Sequence, residues 1–210
     1  MRQKYRIIRD WLFVVLIYLG VLLLMPVSDK IFPHLNPGTV DRTLNFIINV
    51  SIGVTCLILL FYLICKKDKA VFSQYAWLCV IFASCVYFLT KVETTMDRLH
   101  FVGYGILSLV IFFALRHNFG TMMLYLWSFL IVTVFAVFDE LLQLSNLGGH
   151  NFELKDIATD CFSIFIGQLL IATVIRPKLE KVNIKLRKYT NYLTKLRDYS
   201  KSRLPKKSDF

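Results

Sequence analysis

The chain has little of what a soluble enzyme is built from. Charged residues make up only 19% of its 210 positions. The five cysteines (Cys56, Cys65, Cys79, Cys85 and Cys161) form no CxxC pair and keep no metal-ligand spacing; within or at the ends of apolar runs they read as small core or lipid-facing residues. There is no HExxH pair, no glycine-rich phosphate loop, no dinucleotide fingerprint and no Ser or Cys in a nucleophile motif. Those absences argue against zinc proteolysis, nucleotide chemistry and covalent catalysis. A cleavable leader is also not in evidence. The first apolar run ends at Pro26, Val27, Ser28 and Asp29 rather than at a small-x-small site, so it is expected to stay as a span.

What is abundant is apolar length. Hydrophobic residues reach 56% and mean hydropathy is +0.57, beyond the range of an ordinary soluble domain. Runs near twenty residues occur at 11–26, 44–65, 75–90, 99–115, 122–144 and 157–175. The reading is an all-α polytopic membrane bundle of about six helices. The third and fourth runs are short for a bilayer core of roughly 30 Å.

Charge supplies orientation. Arg2, Lys4, Arg6 and Arg9 precede the first run, Lys66, Lys67 and Lys69 follow the second, and Arg116 follows the fourth. Alternate loops hold fewer bases, each set offset by acids such as Asp29, Asp41, Glu93 and Glu153. Basic residues resist translocation, so both termini are expected inside. From 176 to 209 there are twelve Lys or Arg against three Asp or Glu, which is +9 of the chain's +11. A surplus held in a tail beside spans points to anionic lipid rather than nucleic acid. Leu179, Val182, Leu186, Tyr189, Leu193 and Leu196 recur at helical spacing, which suits a basic amphipathic helix lying on the inner leaflet. The chain thus divides into three first spans (1–95), a polar-striped core (96–175) and a basic tail (176–210).

Polar residues in spans are expensive and tend to pair, line water or carry function. They gather in three stripes. Asp97, His100, Tyr104 and Ser108 share a face of the fourth run; Thr133, Ala136, Glu140 and Gln143, with Asp139 alongside, share one of the fifth; Asp156, Asp160, Ser163 and Gly167 share one of the sixth. Small and polar stripes let helices approach in lipid, so the last three spans should pack together. With the expected topology the polar ends meet at the outer boundary, and the loop 145–155, with Gly148, Gly149 and His150, would close over them. Individually, His100 fits the headgroup region, Glu140 and Gln143 a wet helix end, and Asp156 a helix cap. Together the acids share one boundary, where chance would scatter them. Such a group could ligate a divalent cation, share protons as acid and base, or bind a headgroup without reaction. No other cofactor is expected. Asn45 and Asn49, one turn apart, should bond to a neighbouring helix.

At these residues the chain resembles the VanZ-like family of bacterial membrane proteins, named for a teicoplanin-resistance accessory protein. The matching pieces are Asp97-Arg98-Leu99-His100-Phe101-Val102-Gly103-Tyr104, then Asp139-Glu140-Leu141-Leu142-Gln143, then Phe152 to Ile157 followed by Gly167. They cover roughly 96–175. The chain departs from the family pattern at His150, where Arg is usual, at Asp160, where Asn is usual, and at Ser163, where Gly is usual; the outcome is a more acidic site. The resemblance implies a multi-pass protein of the bacterial inner membrane with an envelope role and, in some members, lowered glycopeptide sensitivity. Three expectations compete. The leading one is a non-enzymatic protein whose cluster of His100, Tyr104, Glu140, Gln143, His150, Asp156 and Asp160 binds an envelope precursor or a glycopeptide- or lipopeptide-type ligand. The second is a hydrolase or transferase acting on a lipid-linked substrate, with His100 and Glu140 as acid, base or metal ligands. The third, a transporter, would need polarity continuing through 109–115, 124–131 and 169–175, where little is found.

Overall fold

The computed structural model describes residues 2–31, 37–65, 71–92, 94–117, 119, 122–146 and 154–177. Among these residues every element is helical. That follows from the medium: lipid offers backbone N–H and C=O groups no partner, so each segment must satisfy its own. The helices are α1 (Arg2–Ile31), α2 (Pro37–Cys65), α3 (Phe72–Lys91), α4 (Thr95–Leu115), α5 (Met122–Asn146) and α6 (Leu154–Leu170), the last running into a π turn, Ile171–Ile175. Five of them, α2 to α6 with the π turn included in α6, are long and apolar enough to cross a membrane. The basic tail beyond 177 and the loop 147–153, His150 included, lie outside the described residues.

Helix ends extend past the apolar runs, because polar residues cap and flank them. α3 and α4 have 20 and 21 residues, so neither is short. α1 runs on through Pro26 to Ile31. At the start of α4 the Thr94 hydroxyl accepts from the Asp97 amide at 3.1 Å, satisfying one of the donors a helix N-terminus leaves open. The last carbonyls of α6 are met from α3 instead: Gln74 donates through Nε2 to the Val174 carbonyl at 2.7 Å, and Arg176 reaches Ser73 Oγ at 3.3 Å. Arg176 itself turns left-handed at φ 44°, donating its amide to the Ile171 carbonyl at 2.9 Å and closing the π turn.

α4 is the centre of the bundle, packed against α1, α5 and α6, while α2 and α3 pack more lightly on one flank. Its core residues Tyr104, Leu107, Ile111, Phe112 and Ala114 have no exposed surface. The tightest seam, α4 against α6, depends on side chains that are nearly absent. A Cβ on Gly167 would stand 3.0 Å from the Gly105 carbonyl oxygen and closer still to Ser108 Oγ. Ser163 donates to the Phe101 carbonyl across this seam. Packing of small residues is how helices gain contact in lipid, where the hydrophobic effect offers no preference for protein over acyl chain.

Cross-helix bonds set the register. His117, after α4, meets Asp10 at the start of α1 at 3.0 Å; Gln74 at the start of α3 meets the end of α6. At the opposite end Asn45 of α2 donates to Thr95 of α4 at 3.3 Å and accepts from Arg98 at 2.8 Å. α1 and α4 therefore run antiparallel, whereas α2 and α6 each run parallel to α4. Asn45 makes the expected bond, whereas Asn49 is exposed. All five cysteines are free thiols.

Candidate functional site

The three polar stripes converge. Asp97 and His100 from the start of α4, Glu140 and Gln143 from the end of α5, and Asp156, Thr159 and Asp160 from the start of α6 line one small cavity of about 10 Å³, room for about one water. His100, Glu140, Gln143 and Asp160 are each less than 9% exposed, although they stand at the end of the bundle. Geometry explains the convergence. Residues three or four apart occupy one helical face, and α4, α5 and α6 all pack on one another with those faces inward.

Two of the acids hold favourable helix positions. Asp97 and Asp156 each lie in the first turn of their helices, where the positive end of the helix dipole favours an anion. Asp156 is within that turn rather than the capping residue before it. Glu140 and Asp160 are more deeply buried, at 5% and 6% exposed. Four carboxylates and one imidazole thus face a space that admits little solvent. Like charges so placed repel strongly at low dielectric, and a shared proton or a bound cation relieves the repulsion. Among the described residues no group of three or more His, Cys, Asp and Glu is placed to hold a metal ion.

Tyr104 does not line the cavity. It lies one turn below His100, ring centroids 6.2 Å apart and edge-on, and its hydroxyl donates to Asp139 Oδ2 at 2.9 Å. Both are buried, Tyr104 wholly and Asp139 at 3%. This pair forms a floor linking α4 to α5. Spacing in the sequence groups Tyr104 with His100 and the acids because it gives a shared face but not depth.

Other residues gain roles that spacing did not indicate. Thr159 lines the cavity; its position three residues after Asp156 was the available signal. Arg98, beside the acids in sequence, turns away from them and donates twice to the Val92 carbonyl, at 3.2 and 2.9 Å, and once to Asn45. Its charge closes the end of α3 and the approach to α2, leaving the cavity lining with His100 as its basic side chain. The chain matches no protein-family model, no curated protein and no solved structure.

Proposed function

We propose that the cavity at the joined ends of α4, α5 and α6 is a recognition site for a cationic, hydrogen-bonding group of an envelope component. The observation that carries this reading is the meeting of seven polar residues from three helices, four of them carboxylates, around one small space, with His100, Glu140, Gln143 and Asp160 buried. A bundle that needed only stability would fill such a space with apolar side chains, since crowded buried charge costs more than it returns.

The finer proposal has six spans with both ends inside, in the bacterial inner membrane. It rests on Lys and Arg before α1, between α2 and α3, after α4 and in the tail, and it puts the cavity at the outer face. The resemblance to VanZ-like proteins then suggests the occupant: an envelope precursor, or an amine-bearing glycopeptide or lipopeptide whose capture lowers sensitivity to it. The test is teicoplanin and lipopeptide susceptibility in a deletion strain carrying wild type, Glu140→Gln or Asp156→Asn, with membrane levels measured. Both variants are expected to reach the membrane and lose the protection that wild type restores. Equal protection by wild type and variants would make the cavity structural, and no protection by wild type would remove the glycopeptide role.

A second reading has one observation in its favour: His100 and Glu140 line the same cavity, as an acid and base pair in a hydrolase or transferase would. Product formed from a lipid-linked substrate by purified protein, and lost in His100→Gln, would favour it.

A further inference from the structure

A second cavity lies on the other side of the α4–α6 seam. It has a volume of about 170 Å³ and is walled by α2, α3, α4 and α6. Every wall comes from the middle of its helix: Thr55 and Cys56 of α2, Ile81 and Cys85 of α3, Gly105 and Leu109 of α4, Ser163 and Ile166 of α6. In a bundle of membrane-crossing helices this depth is the hydrocarbon layer.

We propose that this cavity holds a segment of one acyl chain of a bilayer phospholipid. Its lining is almost wholly apolar, and the hydroxyls of Thr55 and Ser163 are already used. Thr55 donates to the Ser51 carbonyl at 2.8 Å, and Ser163 donates to Phe101. The wall beyond the exposed rim at Ser51 offers water almost no partners, so water that entered would lose hydrogen bonds. A dry apolar cavity of roughly 150 Å³ takes a benzene ring, so this one has room for a stretch of about six carbons. That is too small for a helix or loop.

The cavity opens sideways. Ser51, Thr55 and Ile106, which line it, are exposed on the surface of the bundle. Toward the polar end it is stopped by packed rings, Phe88 stacked on Phe101 at 4.9 Å and tilted against Phe162 at 4.8 Å. The surrounding source at that depth is therefore the bilayer, and an occupant leans in from the side between α2 and α4. It does not descend from the acidic cavity, which faces the opposite side of the seam. A chain so seated supplies the dispersion contacts that α2 and α3, lightly packed on the core, otherwise lack.

The experiment uses the full chain in vesicles of phosphatidylglycerol and phosphatidylethanolamine containing a phospholipid with a mid-chain diazirine. After photolysis, adducts are mapped by peptide mass spectrometry. Labelling is expected to concentrate on Ile81, Cys85 and Leu109, several-fold above Leu57 and Phe61 on the outward face of α2. Thr55→Trp, which fills the cavity from its rim, should abolish that excess while leaving Leu57 and Phe61 unchanged. Ile106→Trp fills it from the other wall, so folding of either variant, checked by circular dichroism, suffices for the test. Labelling of the cavity residues no greater than that of the outward face, or an excess that survives a folded Trp variant, would overturn the proposal.

Discussion

The Tyr104 hydroxyl and the Asp139 carboxylate meet at 2.9 Å in a place that water does not reach. Replacing Tyr104 by Phe leaves the acid without that donor, and an unsatisfied buried group costs about 1–3 kcal/mol. Thermal unfolding of purified protein in detergent should show Tyr104→Phe clearly destabilised. Asp139→Asn, which keeps an acceptor oxygen for the same hydroxyl, should lose less. Asn45 and Asn49 make a similar contrast. Asn45→Leu removes the partner of a guanidinium at 2.8 Å, worth about 1.5–3 kcal/mol for a bond to a charged group. Asn49 is exposed on the face of a span, so Asn49→Leu breaks no cross-helix bond and should leave stability unchanged or raise it; the expectation that both asparagines bond across helices holds for Asn45 alone.

At the scale of elements, glycines that look alike in sequence separate by what faces them. Gly167→Ala would bring a methyl within 3.0 Å of the Gly105 carbonyl oxygen, and backbone cannot turn aside as Ser108 can. α4 and α6 must then part, at a cost of about 1–3 kcal/mol or more, read as a lower unfolding temperature and less protein in the membrane. Gly103→Ala meets a methyl of the buried Val21 at 2.8 Å, a β-branched side chain with one favoured rotamer in a helix, so α1 must give way slightly; with no backbone atom in the path it should be milder. Gly20→Ala and Gly53→Ala meet nothing within 4 Å and should be neutral or slightly stabilising. The clamp between α1 and α4 adds a pH dependence. Burial alone would raise the Asp10 carboxyl, but the His117 and Arg9 bonds and charges outweigh it and hold the group below its usual 3.8. Its contribution is therefore complete above that value and is lost as pH falls through the lower folded one. Unfolding temperatures of wild type and Asp10→Asn should differ at pH 6 and converge as pH drops below about 4.

For the whole molecule, the outward surface is solvated by lipid rather than water. Leu57, Phe61 and Ile64 on α2 are 66%, 68% and 65% exposed, and the surrounding acyl chains make that exposure harmless. Leu57→Asp should cost about 2.5–3.5 kcal/mol of insertion, measurable with a glycosylation reporter, far more than a surface change in water. The same medium decides what could be read from the residues alone. Apolar runs implied helices, because no other single segment satisfies its backbone in lipid, and the three-and-four spacing of Asp97, His100, Glu140, Gln143, Asp156 and Asp160 implied that their faces would meet. Those features are local, and local features survive in a linear string. Which side of α2 faces the core left no such trace, since a core-facing leucine and a lipid-facing one obey the same preference. The pairing of Asp10 with His117, 107 residues away, the turn of Arg98 away from the acids, the depth of Tyr104 and the apolar cavity beside α2 were decided only by tertiary structure. Each depends on how far apart helices stand and at what height they cross, and those distances are set by packing between segments remote in the chain.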